Sequence, residues 1–361
     1  MSLQEKVKYC TNSWRLELEK SHSIILKNDR DLNIPTETFD NTPNETTRTW
    51  WGRRHQIVSV VFGAILFAAS AWYIGRTFHW RELGQVLKTV NLTCLIAGGG
   101  ASIVVYWLLR TLRWYILLRR TGTHVPFLDL YLCTAVSLSF ALFTPFQSGE
   151  LLKIELLKKH GLIQRSPGYG TFLVERVLDL AALLAMACVS LLTTVNILPN
   201  RMYAYVILGG LLLAGVAGLL VLAKLRVTGR LQRLWEHMRQ CVGDLPTLTW
   251  VAVITCVSWA SVVFSWQLFL YAGGIHLGFA KAVALMSIVA LISIISLIPG
   301  GVGVSEIGTS QLLMHFGSTA AVAQAGSIVL RSYSLVAIIL GVAHLGLWKL
   351  VRSRRKQQQC Q

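Results

Sequence analysis

SLIPGGVGVSEIG, Ser296 to Gly308, puts one proline, four glycines and a carboxylate at the end of an almost uniformly apolar run. How that stretch is read decides the fold. Backbone that leaves the helix at membrane depth exposes N–H and C=O groups that lipid cannot satisfy, so it survives only inside protein or against a wet cavity. A second run, residues 128 to 144, ends in the same way, in TPFQSGE. Pro145, Gly149, Pro299, Gly300, Gly301 and Gly303 are the candidate breakers, and Glu150 and Glu306 are the carboxylates that follow them.

The surrounding chain sets the class. Of 361 residues 53% are hydrophobic and 14% charged, and several uninterrupted apolar stretches reach the ~20 residues that a membrane-crossing helix needs. The expected fold is an all-α polytopic membrane protein. Six full spans are expected, at about 57 to 75, 92 to 112, 171 to 195, 202 to 224, 248 to 272 and 326 to 350, with the two interrupted runs 128 to 144 and 281 to 298 in question. Residues 1–50 are polar, with eight acids against seven Lys and Arg, and read as a disordered cytoplasmic tail; 51–351 form the transmembrane domain, and 352–361 a basic cytoplasmic tail.

Basic residues discriminate between topologies. Beyond residue 50 there are 27 Lys and Arg against nine acids, an excess suited to membrane orientation and anionic headgroups, with no nucleic acid as partner. If all eight runs cross from an inside N-terminus, these cations divide 13 inside and 12 outside, leaving out Arg176 and Arg331 within spans. If the two interrupted runs dip in and return, the division becomes 20 against five, as the positive-inside rule demands. The re-entrant reading places both termini in the cytoplasm of a cell whose inner membrane holds the protein.

The interrupted runs also align. Glu150 with Glu306, Gly161 with Gly317 and Gly170 with Gly326 share one offset, 156 positions, and GTFLVERVLDLAALL falls on GSIVLRSYSLVAIIL. With three spans between the two interrupted runs, the units at about 128–195 and 281–350 are expected to form an inverted repeat whose breaks meet near the midplane, a layout found in transporters.

Ionisable residues at membrane depth mark functional positions or need partners. Glu175 and Asp179 lie four apart on one helix face, with Arg176 three before Asp179; the pattern fits a structural ion pair or a working site equally. Arg110 and Arg113 read first as residues that snorkel to the inner interface, with a functional role at membrane depth as the alternative. Arg113, Arg176 and Arg331 are the candidate headgroup cations, and Glu150, Glu306, Glu175 and Asp179 the candidate proton or ion-pair carriers. Seven scattered cysteines give no metal-ligand spacing, PGGVGVSE lacks the Lys-Ser/Thr ending of a phosphate loop, and no cofactor is expected. His160 and His315 read as loop caps, and Trp residues near span ends as an interfacial belt.

Taken together, RTLRWYILL, PFQSGELLKIELLKK, VERVLDL and SLIPGGVGVSE resemble the flippase-like membrane region of the lysylphosphatidylglycerol synthase family over about residues 55 to 350. Arg113, Glu150, Glu175, Arg176, Asp179, Pro299, Gly301, Gly303 and Glu306 are the matching positions. The resemblance implies translocation or handling of anionic or glycosylated lipids, polyprenyl-linked lipids included. Bifunctional relatives add a soluble aminoacyltransferase domain after this region, whereas this chain stops eleven residues after Leu350, so lysyl transfer is not expected. The leading expectation is a lipid flippase. Its rivals are a membrane-embedded lipid-modifying transferase and a non-transporting scaffold; membrane lipids, a second copy or a lipid-synthesis enzyme are the expected partners.

Overall fold

An apolar chain that must satisfy every backbone group within itself folds as helices, and all regular structure among the described residues is helical. The computed structural model describes residues 88–195 and 230–359, apart from Phe143 and Leu297, and a few isolated positions between 72 and 85. The expected tail 1–50, the expected span 202 to 224 and, except for Trp72 and Gly75, the expected span 57 to 75 lie outside the described residues. Apart from the end of the last helix, the described elements belong to one compact unit, Val58–Lys349.

Helix α1 (Gly99–Arg120) follows a π-helical turn at Cys94–Gly98. Then come α2 (Phe127–Ala141), a 3-10 break at Pro145–Leu151, α3 (Leu152–Lys159) and α4 (Arg165–Ser190). The second half begins with α5 (Arg230–Val242) and α6 (Leu245–Ala272). It continues with α7 (Phe279–Ile295), a 3-10 break at Pro299–Gly301, α8 (Val304–His315) and α9 (Ala320–Gln359). Four stretches, Cys94–Arg120, Arg165–Thr194, Leu245–Ala272 and Ala320–Arg354, are long and apolar enough to cross a membrane. The interrupted runs give the shorter apolar helices α2 and α7, 15 and 17 residues long. The order short helix, break, short helix, long helix occurs twice.

Helices α1 and α6 run against each other along much of their length. Their shared edge is pinned where Asp244, the N-cap of α6, accepts the Thr247 N–H at 3.2 Å and pairs with Arg120 at 2.5 Å. Hydrogen bonds from Thr247 hold the Asp244 carboxyl below its ordinary range. The apolar core gathers Ile103, Trp107, Phe269, Leu285, Leu313 and Val329 from α1, α6, α7, α8 and α9. Ser139 of α2 donates to the Ala337 carbonyl of α9 at 2.9 Å, and Tyr131 reaches His344 at 2.9 Å, so α9 is tied to the helix that leads into the first break.

Side chains pair with backbone groups at both breaks. The Gly149 N–H donates to the Thr144 hydroxyl at 2.7 Å, and the Gly303 N–H to Glu306 Oε2 at 2.6 Å. Glu306 is thus the N3 residue reaching back over the start of α8, half of a capping box. The two breaks touch: Gly300, at φ 63°, presses so closely on the end of the first interrupted helix that a Cβ would lie 2.5 Å from the Leu142 carbonyl oxygen. Gly149 is equally confined, because a Cβ there would meet the Ala141 amide nitrogen at 2.8 Å.

Backbone cannot yield as a flexible side chain can, so Gly149→Ala should cost about 1–3 kcal/mol, the usual range for overpacking. Its unfolding midpoint in detergent should fall well below that of Gly161→Ala, which meets open space at φ +70° and carries only backbone strain. Equal midpoints would show that the first break tolerates a wider turn.

Candidate functional site

The first break delivers its carboxylate into a network of buried charges. Arg110 and Arg113 come from α1, Glu150 from the break, Lys153 from α3, and Glu175, Arg176 and Asp179 from α4. Arg110 Nη2 holds Glu150 Oε1 at 2.6 Å while its Nη1 pairs with Asp179. Arg113 binds Asp179 Oδ1 at 2.6 Å, Glu175 Oε1 at 3.2 Å and the Thr255 hydroxyl of α6 at 3.0 Å. Lys153 Nζ closes the ring on Glu175 Oε2 at 2.6 Å and lies 4.1 Å from the centroid of the Trp114 ring. Arg176 pairs with the second oxygen of Glu150 and with Asp179 at 3.2 Å.

The reading of Arg110 and Arg113 as snorkelling residues is corrected: they are 3% and 0% exposed and point into the bundle. The cause is helical phase, since residues three apart on α1 share the face turned to α4. Glu175 and Asp179 do share a face, as their four-residue spacing predicts, but their strongest partners lie on other elements. The positive-inside count treats Lys153 as a cytoplasmic loop charge, whereas it is 1% exposed. The sequence carries a signal for this: Glu150, Lys153, Ile154 and Leu157 recur at three- and four-residue intervals and form one buried face. Removing Arg110, Arg113 and Lys153 from the inside count leaves the charge bias standing.

One cavity borders the network, and a second shares part of its wall with the first. The larger, about 340 Å³, is lined on one side by Arg110, Glu150, Arg176 and Asp179 and elsewhere by apolar and aromatic groups such as Trp107, Trp259 and Leu183. The smaller, about 190 Å³, holds Glu306, Arg331 and the hydroxyls of Ser293, Ser305 and Thr309. There Arg331 Nε lies 3.3 Å from Glu306 Oε1, and Arg331 Nη1 donates to the Gly300 carbonyl at 2.8 Å. A single side chain therefore satisfies both the second break's backbone and its carboxylate. Gln147, Trp266 and Tyr333 belong to the walls of both cavities.

Exposure sorts the candidate cations. Arg113 is sealed off from either cavity, whereas the side chains of Arg176 and Arg331 are 26% and 29% exposed. The Nε of Arg176 has no hydrogen-bond partner among the described residues. Four cations, Arg110, Arg113, Lys153 and Arg176, face three carboxylates, Glu150, Glu175 and Asp179, so the network keeps one positive charge beside the larger cavity. Charge of that sign at a part-open wall favours an anion. Among the described residues no group of three or more His, Cys, Asp or Glu is placed to hold a metal ion.

Lys153→Met should be costly, because it strips Glu175 of one of its two cations and leaves a buried carboxylate under-compensated; about 3–5 kcal/mol is typical. Glu175→Gln in the same background should recover part of that loss. A double-mutant cycle on unfolding midpoints checks this, and strict additivity would show that the pair is not coupled.

The family described as lysylphosphatidylglycerol synthase TM region has a model that matches residues 56–341, which takes in all the elements that build this site. No curated protein matches the chain.

Proposed function

The chain belongs to the lysylphosphatidylglycerol synthase TM-region family, and from that premise we propose that it is a lipid flippase that moves the headgroup of an anionic phospholipid through the paired cavities. The observation that carries this reading is the uncompensated positive charge at the wall of a 340 Å³ cavity, with Arg176 part-exposed there. A headgroup phosphate would be received by Arg176 and passed toward Arg331, while the acyl chains stay in lipid. Taking a charge across ~30 Å of hydrocarbon is prohibitive without such a path. Arg113 positions the network and does not meet the headgroup. Glu150 and Glu306 act as exchange partners: each holds its arginine when no lipid is bound and yields it when a phosphate arrives.

The repeated element order and the contact between the two breaks support an inverted repeat, with α2 and α7 dipping into an inner membrane from opposite sides and both termini cytoplasmic. The transferase reading draws no support from the site: Glu175 is fully buried between Lys153 and Arg113, out of reach of any donor. In the scaffold reading, charge substitutions would damage assembly and leave lipid movement alone.

Reconstitution tests the function. Liposomes carrying headgroup-labelled phosphatidylglycerol should show accelerated scrambling with the wild-type protein. Arg176→Gln and Arg331→Gln should slow it about tenfold or more, the worth of a charge-assisted hydrogen bond, while monodisperse elution is retained. Wild-type vesicles no faster than empty ones would reject the flippase.

Sidedness is tested separately. In a background without native cysteines, a reagent that does not cross the membrane should label position 158 from the cytoplasm and position 318 from outside. Both on one side would remove the inverted repeat.

A further inference from the structure

Gln147 stands out in the first break for its backbone. At φ 54° it is the non-glycine residue that takes a left-handed conformation among the described residues, a state that costs free energy for any side chain with a Cβ. The repeat offset of 156 places Gly303 at the matching position of the second break, and Gly303 sits at φ 87° without that penalty. The fold therefore requires a left-handed residue three positions before each carboxylate, and the first break fills the place with the more costly residue.

The side chain supplies a reason. Arg176 Nη1 donates to Gln147 Oε1 at 3.4 Å. A guanidinium has donors only, so the atom turned to it must be the amide oxygen, which fixes which end of the amide faces away. Gln147 is exposed and lines both cavities, alongside Tyr333 and Trp266. Its Nε2 makes no hydrogen bond to the described residues, which leaves two oriented donors at the junction of the cavities.

We propose that Gln147 is a headgroup-contacting specificity residue, whose amide N–H groups donate to the phosphate oxygens of a lipid held by Arg176 at the passage between the cavities. The inference rests on the flippase reading and deepens it. Arg176 supplies charge, and Gln147 supplies direction: with Oε1 engaged by the arginine, the amide offers donors alone to the ligand and so selects an acceptor, not a headgroup amine.

The test titrates short-chain phosphatidylglycerol against the full-length protein in neutral detergent, read through the fluorescence of Trp107, Trp259 and Trp266 in the cavity walls. Gln147→Gly relieves the left-handed strain and removes the amide. Its unfolding midpoint should match or exceed the wild-type value, while its affinity falls about tenfold. Gln147→Glu keeps an acceptor for Arg176 but turns the donor into a charged acceptor, so binding should fall further; this variant decides the matter if the glycine variant fails to fold. Affinity thus falls with no loss of stability for Gln147→Gly, which a purely structural role does not produce. Wild-type affinity in both Gln147 variants, with Arg176→Gln weakened, would overturn the role of Gln147 and leave the flippase reading in place. No effect of Arg176→Gln, or no binding by the wild-type protein, would overturn both.

Discussion

The rest of the structure depends on one constraint: seven charged groups are gathered where solvent is largely excluded, and each must find a partner of opposite sign. Removing an ion from water costs several kcal/mol even after relaxation, and only mutual pairing with good geometry returns it. That requirement fixes α1 against α4 through Arg110, Arg113 and Asp179, and pulls the first break and α3 inward through Glu150 and Lys153. Such a network is poor evidence for high stability, since apolar side chains would pack the same space at less cost. What it supplies is register. A helix shifted by one residue would unpair several ions at once, so the network selects one arrangement of four elements.

The two halves share an order of elements but divide the work unequally. In the first, a three-residue set of hydroxyl, glycine and carboxylate, Thr144, Gly149 and Glu150, closes the break and feeds the network. In the second, Glu306 caps its own helix and meets Arg331, which also holds the Gly300 carbonyl. The Glu306 pair is neutral, and among the described groups of the two cavity walls the surplus charge belongs to the network of the first half. In the flippase proposed above, a path from one to the other would run between a charged end and a neutral one, built from units that share one pattern.

Much of this was legible in the sequence, and the remainder fails for a physical reason. Proline and glycine punctuation located both breaks, because their backbone preferences are local properties. The carboxylates Glu150, Glu175, Asp179 and Glu306 were legible because charge in an apolar run is conspicuous. Partners were not. A helical period tells which residues share a face but not which other helix the face meets, so Arg110 reads as a snorkelling residue and Lys153 as a loop cation. Gln147 gives no signal at all: a polar residue in a turn is unremarked until its φ angle is known. The positive-inside count survives these errors because the bias is a property of many residues and the misplaced ones are few.

The network divides into a sealed part and a part-exposed one, and the division follows from how Glu150 uses its two oxygens. Oε1 is held by Arg110, which is buried, while Oε2 is held by Arg176, which is part-exposed and under-satisfied at Nε. If an incoming phosphate draws Arg176 away, Glu150 keeps Arg110 and Asp179 keeps Arg113, so neither buried carboxylate is left without a cation. Arg113 and Lys153 have no such freedom: both are buried against Glu175, and withdrawing either would halve the positive charge that compensates it. Because the carboxylates of Arg176 are shared with the buried Arg110 and Arg113, the proposed exchange of a charged ligand at Arg176 would not open the charges that hold the helices together.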